Sequence, residues 1–307
     1  MFVYYNDEFV ASPHGTISTT RKSTLIAEQV RGIAGLQIVD PAVTVPRGVV
    51  EQIVAELHTR AYLDALRTGT PSGLAESSTL IWGPTSYDFA LAHSHGVVAA
   101  IASVLAGERR AGTLSSGLHH ARPDRGLGYC TLNGLAVGSA YAVRKGRRVV
   151  IIDFDAHFGG GTFAHLKKLN GSRSFADESG AKTTQVDVSV SMFDDYTAEG
   201  PHHCEFVACA VSPDKQYLEA IARGLAHADT VSDSDTVVIY NAGVDPVNFV
   251  HFDEPFATMA ARDAMVSDWV GSRPAIFTLA GGYTTGFSMD DIVRLHMATI
   301  TQWASAL

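Results

Sequence analysis

The 307-residue chain is 46% hydrophobic and 18% charged, enough apolar mass for a large core and too little charge for global disorder. Its net charge of -9 argues against a nucleic-acid binder, which usually presents a basic face. Three cysteines without CxxC spacing, Cys130, Cys204 and Cys209, fit a reducing compartment and not a disulfide scaffold. MFVYYNDEF at the start shows no basic region followed by a long apolar run, and no stretch of about eighteen apolar residues stands out, so a cytoplasmic protein without a signal peptide or membrane span is expected. The NGS at Asn170 is a glycosylation acceptor by pattern only.

In chain order, Phe2 to Tyr5 reads as a short strand, Ser12 to Thr20 as loop and Ser23 to Gly32 as helix. After an extended, proline-containing connection, Val49 to Arg67 carries helical periodicity, and PTSYDFALAHSHGVVAAIASVLAGERR predicts a long helix closed near Gly107. Strands and helices then alternate: strands at Thr113 to Ser116, Val149 to Ile152, Lys182 to Val190, Thr236 to Tyr240 and Ala275 to Leu279, with helices at Leu132 to Lys145, Lys215 to Ala228 and Asp253 to Gly271 and, after the last strand, a final helix to Trp303. Alternation of this kind predicts a parallel sheet covered on both faces. Without an internal repeat, a linker or a charge shift, one domain over 1–307 is expected.

The chain is organised around RRVVIIDFDAHFGGGT, Arg147 to Thr162. Side chains alternate along an extended segment, so Asp153, Asp155 and His157 project to one side of the strand end. Two carboxylates and an imidazole buried together without a cation would cost several kcal/mol; a divalent metal removes that cost. Ligands in open α/β sheets sit beyond the carboxyl ends of strands, and three further strand ends carry polar groups there: His119 and His120, Asp245 in NAGVDP, and Tyr283 behind Gly281 and Gly282. Asp155, His157 and Asp245 supply three ligands with a position left open, the layout of a catalytic zinc site, although so carboxylate-rich a set also suits iron(II). His119 and His120 could move a proton between water and a leaving amine, Asp153 could orient one imidazole, and Tyr283 could donate to a developing oxyanion. Together these parts suit hydrolysis of an amide.

Four blocks, GLHHARPDRGLGYCTLNG (Gly117 to Gly134), IIDFDAHFGGGT (Ile151 to Thr162), NAGVDP (Asn241 to Pro246) and LAGGYTTG (Leu279 to Gly286), resemble the zinc-dependent histone deacetylase and acetylpolyamine amidohydrolase group. Weaker similarity runs through HTRAYLDAL and PDKQYLEAI. The resemblance implies an arginase/deacetylase fold: a three-layer α/β/α domain with a central, mostly parallel sheet. It implies zinc on Asp155, His157 and Asp245, catalytic roles for His119, His120 and Tyr283, and an acyl-lysine tunnel lined by Gly128 and Tyr129. Asp153 would orient the first histidine and help bind a structural potassium ion, and Arg21 would match an arginine of an internal acetate channel. The implied partner is a small-molecule or acyl-lysine substrate, with homo-oligomerisation left open.

Departures stand out within that resemblance. Gly160 occupies the place of an Asp or Asn that contacts the second histidine, which should leave His120 without a carboxylate partner and less basic. Phe158 follows the ligand histidine where relatives often have a second histidine, and Asp187 stands where a serine near the potassium site is usual. An arginase-like enzyme with two manganese ions is disfavoured, because the places for its further aspartates read Phe158-Gly159 and Gly243-Val244. A non-catalytic binding protein is the remaining alternative, motivated by Gly160. His202-His203-Cys204 reads as loop or substrate rim, since consecutive residues do not readily point at one ion; Cys130 reads as a small buried hydrophobe, and Phe193, Tyr196 and Phe249 as pocket or core.

Overall fold

A computed structural model describes residues 1–10, 18–171 and 182–305. Strands Phe2–Tyr4 (β1), Gln37–Val39 (β2), Arg110–Thr113 (β3), Val149–Asp153 (β4), Thr183–Ser189 (β5), His203–Phe206 (β6), Val237–Asn241 (β7) and Ala275–Thr278 (β8) form one sheet in the order β2-β1-β3-β8-β7-β4-β5-β6. Every neighbouring pair is parallel. The helices are Ser18–Val30 (α1), Pro41–Thr44 (α2), Arg47–Leu57 (α3), Arg60–Thr68 (α4), Ser72–Ala75 (α5), Ser86–Leu105 (α6), Gly134–Val143 (α7), Gly160–Gly171 (α8), Pro213–Thr230 (α9), Pro246–Phe249 (α10), Pro255–Val270 (α11) and Met289–Ser305 (α12).

Alternation along the strands makes the layers. Val150, Ile152, Val238 and Tyr240 join a core with Ile26 of α1, Tyr217 of α9, Met259 of α11 and Ile292 of α12. Val149, Ile151, Val237 and Ile239 face the other way, into a core with Ile53 of α3, Tyr62 of α4, Val97 of α6, Leu135 of α7 and Leu166 of α8. Both faces are therefore dry, which is why the central strands are continuous β-branched runs and not half-polar ones. The result is the expected three-layer α/β/α architecture.

Several elements differ from expectation for local reasons. The helix expected over Val49 to Arg67 is two, because His58 is extended (ψ 152°) and the Thr59 hydroxyl accepts from Tyr62 N (3.4 Å) to start α4 afresh. Helix α1 begins at Ser18, inside the segment expected as loop; residues 12–17 of that segment lie outside the described residues. Strands β2 and β6 have only three and four residues and pair on one side only, so they carry little of the burial that makes a strand legible. Helix α6 is long and apolar enough to cross a membrane by length and composition, with 83% of that stretch buried inside the fold. It is a core helix packed against α7, so an apolar stretch of that length is present where none was expected. Asn170 ties the end of α8 to β5, donating to Thr183 O and accepting from Thr183 N.

Candidate active site

The four middle strands, β3, β8, β7 and β4, are those whose carboxyl ends carry His119–His120, Tyr283, Asp245 and Asp155–His157. Strand parity continues past Asp153, with His157 bridging to Ser191 as a further ladder partner. One ligand atom from each of Asp155, His157 and Asp245 lies within 4.8 Å of the others. His157 Nδ1 is 3.1 Å from Asp155 Oδ1 and 3.2 Å from Asp245 Oδ2. The loops are locked to each other by main-chain donors, Ala156 N to Asp245 Oδ1 (3.0 Å) and Gly281 N to Asp155 Oδ2 (2.8 Å). Beneath them the buried Arg262 guanidinium donates to the carbonyls of Phe154 (3.3 Å) and Gly243 (2.5 Å), joining the loops that carry the two carboxylates.

This donor set fits a divalent ion. Asp245 Oδ2 is buried without a well-formed hydrogen bond, and the space beside it is kept free of side chains. A Cβ on Gly281 would lie 2.3 Å from Asp245 Oδ2, and one on Gly243 would lie 2.6 Å from Asp155 Oδ2. Burial, together with the neighbouring Asp155 charge, raises the Asp245 pKa. Asp155 is held well below the carboxylate range because, against burial, His119 and His157 favour its charge. Burial lowers the His157 pKa, but Asp155 and Asp245 outweigh it and raise the imidazole to about 10. A metal held by Asp155, His157 and Asp245 would take the place of that proton and satisfy both carboxylates.

Beside this cluster, His119 Nδ1 is 2.9 Å from Asp153 Oδ2 and His120 Nδ1 is 2.9 Å from Asp194 Oδ2. The two Nε2 atoms face each other at 3.0 Å. With each Nδ1–H assigned to a carboxylate, two bare Nε2 lone pairs would repel, so the pair shares one proton. Burial acts against charge on both rings. At His119 the carboxylates of Asp153 and Asp155 prevail and raise the pKa to about 10. His120, depressed further by the charge on His119, falls to about 4. The loop bearing the pair is pinned by its carbonyls: His119 O accepts from Thr162 N (2.8 Å) and Asn133 Nδ2 (3.2 Å), and Ala121 O from the same amide group (3.0 Å). Asn133 Oδ1 meanwhile caps α7 through Ala136 N. Asn241, the ladder neighbour of Asp153, donates to its Oδ1 at 2.8 Å.

A pocket of about 560 Å³, open mouth included, is lined by His119, His120, Gly128, Tyr129, Cys130, Asp155 and Tyr283, together with Leu80, Phe89, His93 and Leu118. Asn248 grips the Tyr283 backbone at both ends, through N and O. Burial, then the charges of Asp245 and Asp155, raises the Tyr283 phenol above its ordinary pKa, so it remains a hydrogen-bond donor. Phe193 and Phe249 stand edge-on to His157, at 5.8 and 4.6 Å between centroids, and are about half exposed. Tyr196 instead stacks on Phe163 at 4.3 Å. Among the described residues, seven other than glycine have positive φ, and Leu118, Tyr129, Asp194 and Ala280 of these border the site.

Three expectations are corrected here. His120 does have a carboxylate neighbour, Asp194, which comes from the loop after β5 and which nothing periodic in the sequence marks. Arg21 is exposed and faces an outer cavity with Thr24 and Asp290, whereas its neighbour Lys22 is buried and joins Arg262 as a second buried cation near the ligands. Its Nζ donates to Ala280 O (2.5 Å), and burial, only partly offset by Asp245 and Asp155, lowers it to about 8. His203 and Cys204 belong to strand β6 and not to a loop, and Cys204 Sγ turns to Tyr196 O. Cys130 is buried as expected, but lines the pocket. Asp187 is fully buried as the ladder neighbour of Asp153, its pKa raised by burial and by that neighbour. Phe158 is buried in the core.

Known proteins give the geometry a family. The chain is 32% identical over 128 residues to the acetoin utilization protein AcuC of Staphylococcus xylosus, a match covering 38% of this chain and 33% of the relative. It is 33% identical over 121 residues to a histone deacetylase-like amidohydrolase of Pseudomonas aeruginosa, covering 37% and 31%. These matches thus span about a third of the curated relatives. The crystal structure of an acetylpolyamine aminohydrolase from Burkholderia pseudomallei superposes with a TM-score of 0.75 at 16% identity, over 100% of this chain and 99% of that one, and so shares the arginase/deacetylase fold. A model of the histone deacetylase domain matches residues 17–300, and the chain belongs to the histone deacetylase domain family.

Proposed function

We propose that the chain is a metal-dependent amidohydrolase that removes an acyl group, acetyl first among them, from an amine such as acyl-lysine, an acetylpolyamine or a small metabolite. The observation that carries this reading is the convergence of a three-donor cluster, a histidine pair whose Nε2 atoms face each other at 3.0 Å, and a phenol on one pocket. A divalent ion held by Asp155, His157 and Asp245 would supply Lewis acidity, lowering the pKa of a water and polarising the amide carbonyl. The neutral member of the His119–His120 pair accepts the water's proton, and the charged member gives one to the departing amine nitrogen. Tyr283 donates a hydrogen bond to the oxygen that gains charge as the carbonyl carbon becomes tetrahedral. Gly128 and Tyr129 border the stem of the substrate, and the exposed rings of Phe193 and Phe249 favour an alkyl stem over a compact polar one.

A potassium ion fits behind the site, where Asp187 Oδ1 and Gln185 Oε1 are buried without partners on the strand beside Asp153. The single three-residue donor cluster found among the described residues supports a one-ion enzyme over an arginase-like one. Asp194 beside His120 supports a working histidine pair over a non-catalytic protein. The test is a sample loaded in turn with zinc or iron(II) and assayed on acetyl-lysine peptides, acetylated polyamines and longer acyl-lysines. Metal-dependent release of free amine is expected from at least one class. Loaded protein that is inert on all three would overturn the proposal.

A further inference from the structure

Asp194 belongs to no motif, yet it is as closely held beside His120 as Asp153 is beside His119. Its carboxylate is 1% exposed. Oδ2 lies 2.9 Å from His120 Nδ1 and accepts from Gly161 N at 3.1 Å, while Oδ1 accepts from Arg122 Nη2. Its backbone is left-handed, φ 58°, a region that asparagine and aspartate tolerate better than most residues but that still needs surrounding contacts to persist. Position 160 explains the arrangement from the other side. A Cβ there would lie 2.3 Å from Asp194 O and 2.8 Å from Asp194 Oδ1, so a side chain at 160 and Asp194 in this place exclude each other.

We infer that Asp194 is the positioning carboxylate of His120, brought in from the loop after β5 to the space that Gly160 leaves open and held there by Arg122. This rests on the reading of the histidine pair as the proton-transfer group. An ordinary helix cap offers a plainer account of Asp194, since Gly161 N is at the start of α8. A cap, however, needs one acceptor oxygen and no cation. Here the same oxygen also meets an imidazole, and the second oxygen is engaged by a guanidinium, the pairing with the best-defined geometry of any cation available to a carboxylate. The consequence for His120 is a fixed tautomer. With Nδ1–H committed to Asp194, Nε2 is the atom presented to His119 and the pocket.

The test uses the zinc-loaded full chain and two substitutions, Asp194→Ala and Asp194→Asn, with two readouts. Nitrogen-15 NMR of the His120 ring reports its tautomer, and steady-state kinetics on the best acyl-amine separates kcat from KM. Asp194→Ala is expected to lose the Nδ1–H preference and to lower kcat about tenfold to a hundredfold, the usual cost of losing a supporting hydrogen-bond partner, with KM and zinc stoichiometry kept. Asp194→Asn, which can still accept from Nδ1–H, is expected to keep the tautomer and recover part of kcat. Unchanged tautomer and kcat in the alanine variant would overturn the inference. If that variant does not fold, an asparagine variant that has lost the tautomer despite its intact acceptor would do the same. Should the parent hydrolyse no acyl-amine, the proposed function fails while the NMR readout still decides whether Asp194 sets His120.

Discussion

Two pairs of buried histidines lie in this molecule and have opposite character. His119 and His120 stand at a strand end with a carboxylate behind each ring. His58 and His165 meet edge to face at 4.7 Å between the helices of the opposite layer, with no carboxylate among the described residues paired to either ring. His58 Nε2 accepts from Asn133 N at 3.3 Å, and neither nitrogen of His165 has a well-formed side-chain hydrogen bond. Burial dominates the second pair, and the nearby Lys168 charge acts in the same direction: His58 is lowered to about 4, and His165 well below its ordinary value, so both rings are neutral packing groups. In the first pair the carboxylates oppose burial and separate the two rings, one up and one down. An imidazole pair becomes a proton-transfer device only where charge is placed behind it.

The comparison is broken most severely by removing what the catalytic pair serves. Asp155→Ala or Asp245→Ala is expected to lose bound metal and turnover together, measured by metal analysis and amine release; a variant with full zinc would refute the ligand assignment. Asp153→Asn keeps the shape behind His119 but removes its charge. A fall in kcat of about a thousandfold is expected, within the ~10²–10⁴ that acid–base catalysis contributes, with zinc retained. Tyr283→Phe should bind metal normally and lose on the order of a hundredfold in turnover, as for one oxyanion donor; unchanged turnover would remove its role. None of these should move the stability of the His58–His165 region.

The carboxylate behind His119 was readable in the sequence and the one behind His120 was not. Asp153 lies on a strand whose alternation fixes its side, so its grouping with Asp155 and His157 follows from parity. Asp194 lies three residues past the His157–Ser191 bridge, in a loop where no period dictates direction. The absence of a side chain at Gly160 was visible, but what fills the gap is a tertiary fact. A similar limit separates Arg21 from Lys22. Neighbours on a helix point about 100° apart at 3.6 residues per turn, so Arg21 and Lys22 need not share a face. The inward stripe of α1 runs through Ile26 and Val30, and counting back four from Ile26 reaches Lys22, so the periodicity itself selects Lys22 over Arg21. The layered fold was legible because dry central strands write themselves as apolar runs; β2 and β6, exposed edges of three and four residues, do not.

Gly160 offers a milder way to sharpen the contrast. Aspartate at 160 was expected to supply His120 with a charged neighbour, but the Cβ would first meet the Asp194 carbonyl. Gly160→Ala is therefore expected to push that loop away, lowering kcat about tenfold by loosening His120 and costing about 1–3 kcal/mol of stability by overpacking. Gly160→Asp should do no better than alanine. An aspartate variant with parental kcat would show that the carboxylate can be moved back to this position.

The smallest effect is expected from the other pair, and it concerns stability alone. A ring kept neutral in the fold but free to protonate near pH 6.5 when unfolded stabilises fully above that pH. Its contribution is lost as pH falls from there toward the folded value, about 4 for His58, since only the unfolded state takes up the proton. Each such group removes roughly 1.4 kcal/mol per pH unit in that window. His165→Leu deletes one of them and leaves an apolar side chain in an apolar site. Urea unfolding at pH 7.5 should then differ from the parent by less than about 1 kcal/mol, while at pH 5.2 the variant should be the more stable by about 1–2 kcal/mol. Equal pH dependence in the two proteins would mean that His165 titrates in the fold as it does in the open chain, and that its burial carries no electrostatic cost.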